Sequence, residues 1–120
     1  MKETKTTNPE LIKLIGLLKK ESREKQAGIW LDIAEYLSKT RSQRISVNLG
    51  TINRNTKRND VVVVPGKLLG SGNLDHAVTV AAFGTSQKAK DKLATAKSKY
   101  LSIAELLEKN PKGANVKIIR

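Results

Sequence analysis

An α/β fold is what this sequence of 120 residues predicts: an N-terminal helical hairpin followed by a small mixed sheet with helices. Three observations carry that expectation. Apolar residues recur at helical spacing near the N-terminus. Val61 to Val64, Val78 to Phe83 and Val116 to Ile119 are strand-like apolar runs, rich in β-branched residues. Helical stretches with recognisable caps alternate with those runs, as in layered α/β domains. The length suits one domain over 1–120, with N-terminal helices in 1–38, a basic segment in 39–60 and the α/β core in 61–120. Hydrophobic residues are 38% of the chain and aromatics 3%, so the core is thin and aliphatic.

The first helix opens at Asn8-Pro9-Glu10, which offers an N-cap, a proline at the first helical position and an acid facing the dipole. Leu11, Ile12, Leu14, Ile15, Leu17 and Leu18 then form a wide apolar stripe. After a break at Ala27-Gly28, a second helix places Ile29, Trp30, Ile33, Ala34 and Leu37 on one face. The apolar alternation Ile45-Val47-Leu49, continuing to Ile52, predicts a short strand or an extended loop. Val61 to Val64 is a strand that Pro65-Gly66 stops in a turn, and Gly70-Ser71-Gly72-Asn73 is a second turn. Val78 to Phe83 is a buried strand ending at Gly84, after which Ser86 caps a helix through about Ala96. Tyr100-Leu101 is a short strand. Ser102 and Glu105 make a capping box for a short helix that stops at Asn110-Pro111-Lys112-Gly113, and Val116 to Ile119 is the last strand.

Charge points to function. Lys plus Arg total 23 and Asp plus Glu 11, a formal +12. Such an excess repels itself in the compact state and favours a polyanionic partner. No stretch approaches the roughly 18 apolar residues of a spanning helix, and the N-terminus leads into no signal-type core, so no membrane partner is expected. Cysteine is absent, which excludes disulfides and thiolate metal sites and fits a cytoplasmic protein. Nucleic acid is the expected partner.

The basic residues cluster. From Tyr36 through Asn59 there is no acid, while Lys39, Arg41, Arg44, Arg54, Lys57 and Arg58 accumulate. Interleaved Asn48, Asn53 and Asn55 offer hydrogen bonds to sugars and base edges, and a flexible segment of this kind can follow an RNA groove. Lys67 lies in a glycine-rich stretch that lets an RNA backbone approach, and Lys88 and Lys92 sit on a lysine-rich helix face. The expected division of labour has Arg41, Arg44, Arg54, Lys57 and Arg58 clamping phosphates, the asparagines on sugars or bases, and Lys67, Lys88 and Lys92 adding secondary contacts. Only Trp30, Tyr36, Phe83 and Tyr100 are aromatic, and Trp30 and Phe83 read as core. Stacking platforms for single strands are therefore scarce, and recognition should rest on phosphate, sugar and the shape of structured RNA.

Catalysis finds no support. His76, beside Asp75, is the sole histidine, so multi-histidine metal sites are excluded, and no nucleophile elbow occurs. Asp75-His76 reads instead as a pair making turn hydrogen bonds before the buried strand. Gly66-Lys67 and Gly70-Ser71-Gly72 lack the spacing of a phosphate-binding P-loop. Neither a cofactor nor a small-molecule substrate is expected. The alternatives are a small chromatin-type DNA-binding protein and an enzyme acting on RNA; the second wants a titratable cluster that the sequence does not display.

The stretch Pro65 to Gly84, PGKLLGSGNLDHAVTVAAFG, closely resembles the signature of the archaeal and eukaryotic large-subunit ribosomal protein family L eighteen-e. Val47 to Lys57 (VNLGTINRNTK) and Ser102 to Arg120 (SIAELLEKNPKGANVKIIR) are similar to the same family's basic segment and C-terminus. The short length resembles its archaeal members. The resemblance implies a fold shared with bacterial protein L fifteen, binding to large-subunit ribosomal RNA as a structural component, and ribosomal-protein neighbours.

Overall fold

The computed structural model describes residues 9–38 and 45–120. Five helices and five strands follow in the order α1 (Pro9–Lys25), α2 (Gly28–Leu37), β1 (Ile45–Asn48), α3 (Leu49–Asn55), β2 (Val61–Leu69), β3 (Thr79–Thr85), α4 (Gln87–Thr95), β4 (Lys99–Ser102), α5 (Ile103–Lys109) and β5 (Val116–Ile118). The sheet runs β1-β2-β3-β4, with β5 also paired to β2. All these pairings are parallel. Each chain reversal runs through a helix or a long loop, which leaves no tight hairpin to make an antiparallel pair.

The central strand is longer than the sequence suggests. Pro65-Gly66 does not end β2 in a turn; it is a bulge, since Val64 pairs with Ala82 and Lys67 with Gly84. Proline is tolerated there because the ladder is already interrupted. Gly66 is required at this point, since a Cβ would run into the backbone of Ile45 in β1.

Alternation along β2 and β3 separates two cores. Val63 and Ala81 face α1, α2 and α5, joining Leu11, Ile15, Leu18, Trp30, Ile33, Leu37 and Leu106. Val62, Val64, Leu68, Val80 and Ala82 face the other way, onto Leu49 and Ile52 of α3 and Ala89 and Leu93 of α4. The sheet is thus covered on both sides, as parallel sheets require. Trp30 anchors the first core: it is fully buried, and its Nε1–H donates to Pro111 O at 2.6 Å. The stripe on α1 is wider than the face it buries, for Ile12 and Leu17 remain 44% and 40% exposed.

Local signals matched where local chemistry decides. Ser86 Oγ caps α4 by accepting from Ala89 N, and Ser102 with Glu105 forms the capping box that starts α5. The Ser102 amide, and after it the Ser102 side chain, hold the Glu105 carboxyl below the ordinary glutamate range. Two features were not legible. Residues 49–55, expected as strand or loop, are helical, and Ile45 to Asn55 is packed against β2 rather than free to follow a groove.

Candidate nucleic-acid interface

α3 is short and rich in poor helix formers, yet it holds because Leu49 and Ile52 are fully buried beneath it. Its outer side carries Arg54, and Lys57 and Arg58 follow in the turn that leads to β2; all three are exposed. Beside α3 runs the loop 70–78, which returns the chain from the end of β2 to the start of β3.

A series of hydrogen bonds straps that loop to α3. Gly50 N donates to Ser71 O at 3.0 Å, and Ser71 N to Asn48 Oδ1 at 3.3 Å. Asp75 N donates to Asn53 Oδ1 at 3.0 Å. The His76 ring bridges the two elements, with Nε2 2.7 Å from Thr56 Oγ1 and Nδ1 2.8 Å from Asp75 Oδ1. Farther along, Asn59 N donates to Ala77 O at 2.7 Å. The Asp75-His76 pair therefore makes the turn bonds expected of it. Its hydrogen bond from His76, then that from Asn53, holds the Asp75 carboxyl below the usual aspartate value.

Where the loop crosses α3, Gly72 adopts φ +85° and lies against Gly50; a Cβ on Gly72 would sit 2.7 Å from Gly50 Cα. These glycines bring two protein segments together. The asparagines likewise bond within the protein: Asn48 and Asn53 hold the loop, and Asn55 Nδ2 donates to Thr51 O at 2.8 Å. Sequence reasoning missed this role because it depends on a loop 20 or so residues away in the chain, beyond any local pattern.

α4 lies on the same side of the sheet and extends the surface. Lys88 and Lys90 are exposed, with the Lys90 ammonium 6.0 Å from the centre of the Tyr100 ring, while Lys92 donates to Gly72 O at 2.6 Å and so doubles as a loop fastener. Lys67 stands apart. It is exposed but leaves β2 on the sheet face opposite to its neighbour Leu68, so it does not join this surface. Lys39, Arg41 and Arg44 lie outside the described residues.

The distribution of charge is lopsided. α3, α4 and the loops beside them (49–60, 70–78 and 86–98) carry seven cations, Arg54, Lys57, Arg58, Lys88, Lys90, Lys92 and Lys97, against Asp60, Asp75 and Asp91. All three acids already accept bonds from the protein. Asp60 takes Lys57 N at 2.8 Å and Lys117 Nζ at 3.0 Å, which holds its carboxyl below the usual value, and Asp91 takes Gln87 Nε2 at 3.0 Å. Among the described residues, none of the seven cations is in an ion pair. On the other side, α1, α2 and α5 carry Glu10, Glu21, Glu24, Asp32, Glu35, Glu105 and Glu108 against six cations. One layer is near neutral; the other presents uncompensated positive charge.

Among the described residues no group of three or more His, Cys, Asp or Glu is placed to hold a metal, and no helix is long and apolar enough to cross a membrane. The arrangement suits electrostatic binding of a polyanion to a preformed face.

No family model matches the chain. Curated relatives do. It is 47% identical over 113 residues to the large ribosomal subunit protein eL18 of Methanothermobacter thermautotrophicus, covering 94% of this chain and 93% of the relative. The eL18 protein of Methanospirillum hungatei is 46% identical over 114 residues (95% and 94%), and that of Methanococcus maripaludis 43% over 119 residues (99% and 99%).

Proposed function

The chain belongs to the large ribosomal subunit protein eL18 family, and from that premise we propose that it is a structural component of the large ribosomal subunit whose α3–α4 layer seats on folded ribosomal RNA. The observation that carries this reading is the one-sided charge. Among the described residues Arg54, Lys57, Arg58, Lys88, Lys90 and Lys97 are in no ion pair, and they share one layer. Each relieves phosphate repulsion where RNA strands approach, and counterion release supplies most of the affinity. Arg41, Arg44 and Lys39 extend the clamp in the segment before β1, and Lys67 adds a contact from the sheet's other face.

The asparagines and the loop do different work. Asn48 and Asn53 hold the 70–78 loop so that α3 meets RNA without first paying for its own ordering. Their remaining amide donors reach sugars. Neighbouring large-subunit proteins share the site, and the place of action is the ribosome in the cytoplasm.

The test is competition at fixed salt between protein-free large-subunit ribosomal RNA and duplex DNA, combined with sedimentation of the chain in extract. Preference for the RNA and co-migration with large subunits support the reading. Equal affinity for duplex DNA, with no subunit association, would revive a chromatin-type role and overturn it.

A further inference from the structure

His76 ties the 70–78 loop to the end of α3 through both of its ring nitrogens, and the protons of that tie can be counted. Nδ1 lies 2.8 Å from Asp75 Oδ1, and Nε2 lies 2.7 Å from Thr56 Oγ1. An ionised carboxylate only accepts, so Nδ1 carries a proton. Thr56 Oγ1 in turn donates to Ile52 O at 2.7 Å. A hydroxyl has one proton to give. With that proton on Ile52 O, the Thr56 oxygen offers only lone pairs to Nε2, and the contact is a hydrogen bond only when Nε2 is protonated too. Both nitrogens then donate, and the ring is an imidazolium.

A neutral ring leaves this chain of bonds one proton short. Either the Thr56 hydroxyl turns to Nε2 and abandons Ile52 O, or it stays and two lone pairs meet at 2.7 Å. The His76 side chain is only 17% exposed, which limits replacement of the lost bond by water. Charged groups of both signs stand on the elements around the ring. Its own loop carries Asp75, which also accepts from Asn53 Nδ2 at 3.5 Å. α3 and the turn after it carry Arg54, Lys57 and Arg58, and Asp60 just before β2 is already bonded to Lys57 N and Lys117 Nζ. Behind the loop, Lys97 and Lys99 flank Ser98, whose hydroxyl accepts from Val78 N, and Lys92 holds Gly72 O. In the free chain this surplus of cations opposes one more positive charge; bound phosphates cancel that opposition.

Resting on the RNA reading above, we propose that His76 is a proton-operated fastener of the basic layer: seating on RNA draws a proton from solvent onto Nε2, which locks the 70–78 loop to α3 and adds a positive charge to the face. The coupling is reciprocal, so RNA favours the charged ring and the charged ring favours RNA. Histidine is the side chain that ordinarily changes charge between about pH 5 and 8, and Asp75, held below the usual aspartate value, stays ionised throughout that range. The charged form is the better binder. RNA affinity is therefore greatest at the acid end of that range and falls as pH rises through it.

The experiment is titration calorimetry of the full chain with protein-free large-subunit ribosomal RNA, at fixed salt, across this pH range. Each point is repeated in two buffers of different ionisation heat, which counts the protons taken up on binding. Wild type is compared with His76→Gln and with Thr56→Val, which keeps the histidine and the side-chain shape but removes the acceptor for the Nε2 proton. The chain's amino terminus also titrates in this range and is common to all three, so its contribution cancels in the comparison. Wild-type affinity should fall about fivefold or more from the acid to the basic end, with a proton uptake that both variants lose. A merely structural role for His76 would weaken each variant by one constant factor at every pH and leave proton uptake unchanged. That result overturns the proposal, as does a Thr56→Val variant with the wild-type pH dependence, which decides alone if His76→Gln does not fold. Absence of wild-type binding at every pH is a separate result, which overturns the RNA reading itself.

Discussion

On one side of the sheet, α1, α2 and α5 bury Trp30 with a dozen aliphatic neighbours and carry nearly balanced charge. On the other, α3 and α4 bury fewer side chains of their own, lean on side-chain-to-backbone hydrogen bonds, and carry seven cations against three acids. The difference shows how a small chain keeps a repulsive surface folded. Apolar burial on both sides supplies the stability, and local bonds on the basic side fix geometry without needing acids that would cancel the charge.

That division of labour can be broken from either side. Trp30→Ala removes the largest fully buried side chain and the bond to Pro111, so unfolding free energy should fall by about 3–5 kcal/mol, measured by urea denaturation. A loss below about 1 kcal/mol would show that the hairpin is not a main source of stability. Gly72→Ala strikes the strap instead. With φ +85° and a Cβ placed against Gly50, it should cost about 1–3 kcal/mol and weaken RNA binding as well, because α3 loses its support. Ser102→Ala, on the neutral side, deletes the capping box of α5 and should cost about 1 kcal/mol with RNA affinity per folded molecule unchanged.

Acid should expose the strap's smallest contribution. Asp75 titrates below its ordinary 3.8 in the folded chain, so the unfolded state binds a proton more readily. Its stabilisation is therefore present above that value and lost as pH falls through the lower, folded one. The thermal midpoint of wild type should drop in this acid range, and Asp75→Asn should drop less. Some dependence will remain, since Asp60 and Glu105 are shifted the same way. Equal acid sensitivity would mean that Asp75 contributes nothing.

What could be read from the sequence was local. Pro9 at the start of α1, Ser86 before α4 and the Ser102–Glu105 pair each act within one turn, and each marks its helix. Trp30 declared itself as core through its place in the stripe. By contrast α3 contains Gly50, Thr51, Asn53 and Asn55, which argue against a helix until the burial of Leu49 and Ile52 outweighs them. Pro65-Gly66 has the chemistry of a turn, and only the pairing of β2 with β3 turns it into a bulge. Of the expected contact residues, Arg54, Lys57, Arg58 and Lys88 lie together on one exposed layer. Asn48 and Asn53 were visible as polar groups, but their partners in a distant loop were not.

The most direct test of the one-sided charge is a matched pair of triple substitutions, Arg54, Lys57 and Arg58 to Ala on the basic layer and Lys13, Lys19 and Lys20 to Ala on α1. All six cations are exposed. Binding to large-subunit ribosomal RNA is followed from low to high salt. The basic-layer variant should lose about 2 to 3 units of log–log salt slope, one phosphate contact per cation, with the α1 variant indistinguishable from wild type. Equal losses from both triples would mean that the surplus charge acts as a diffuse field, and the α3–α4 layer would then have no special claim on RNA.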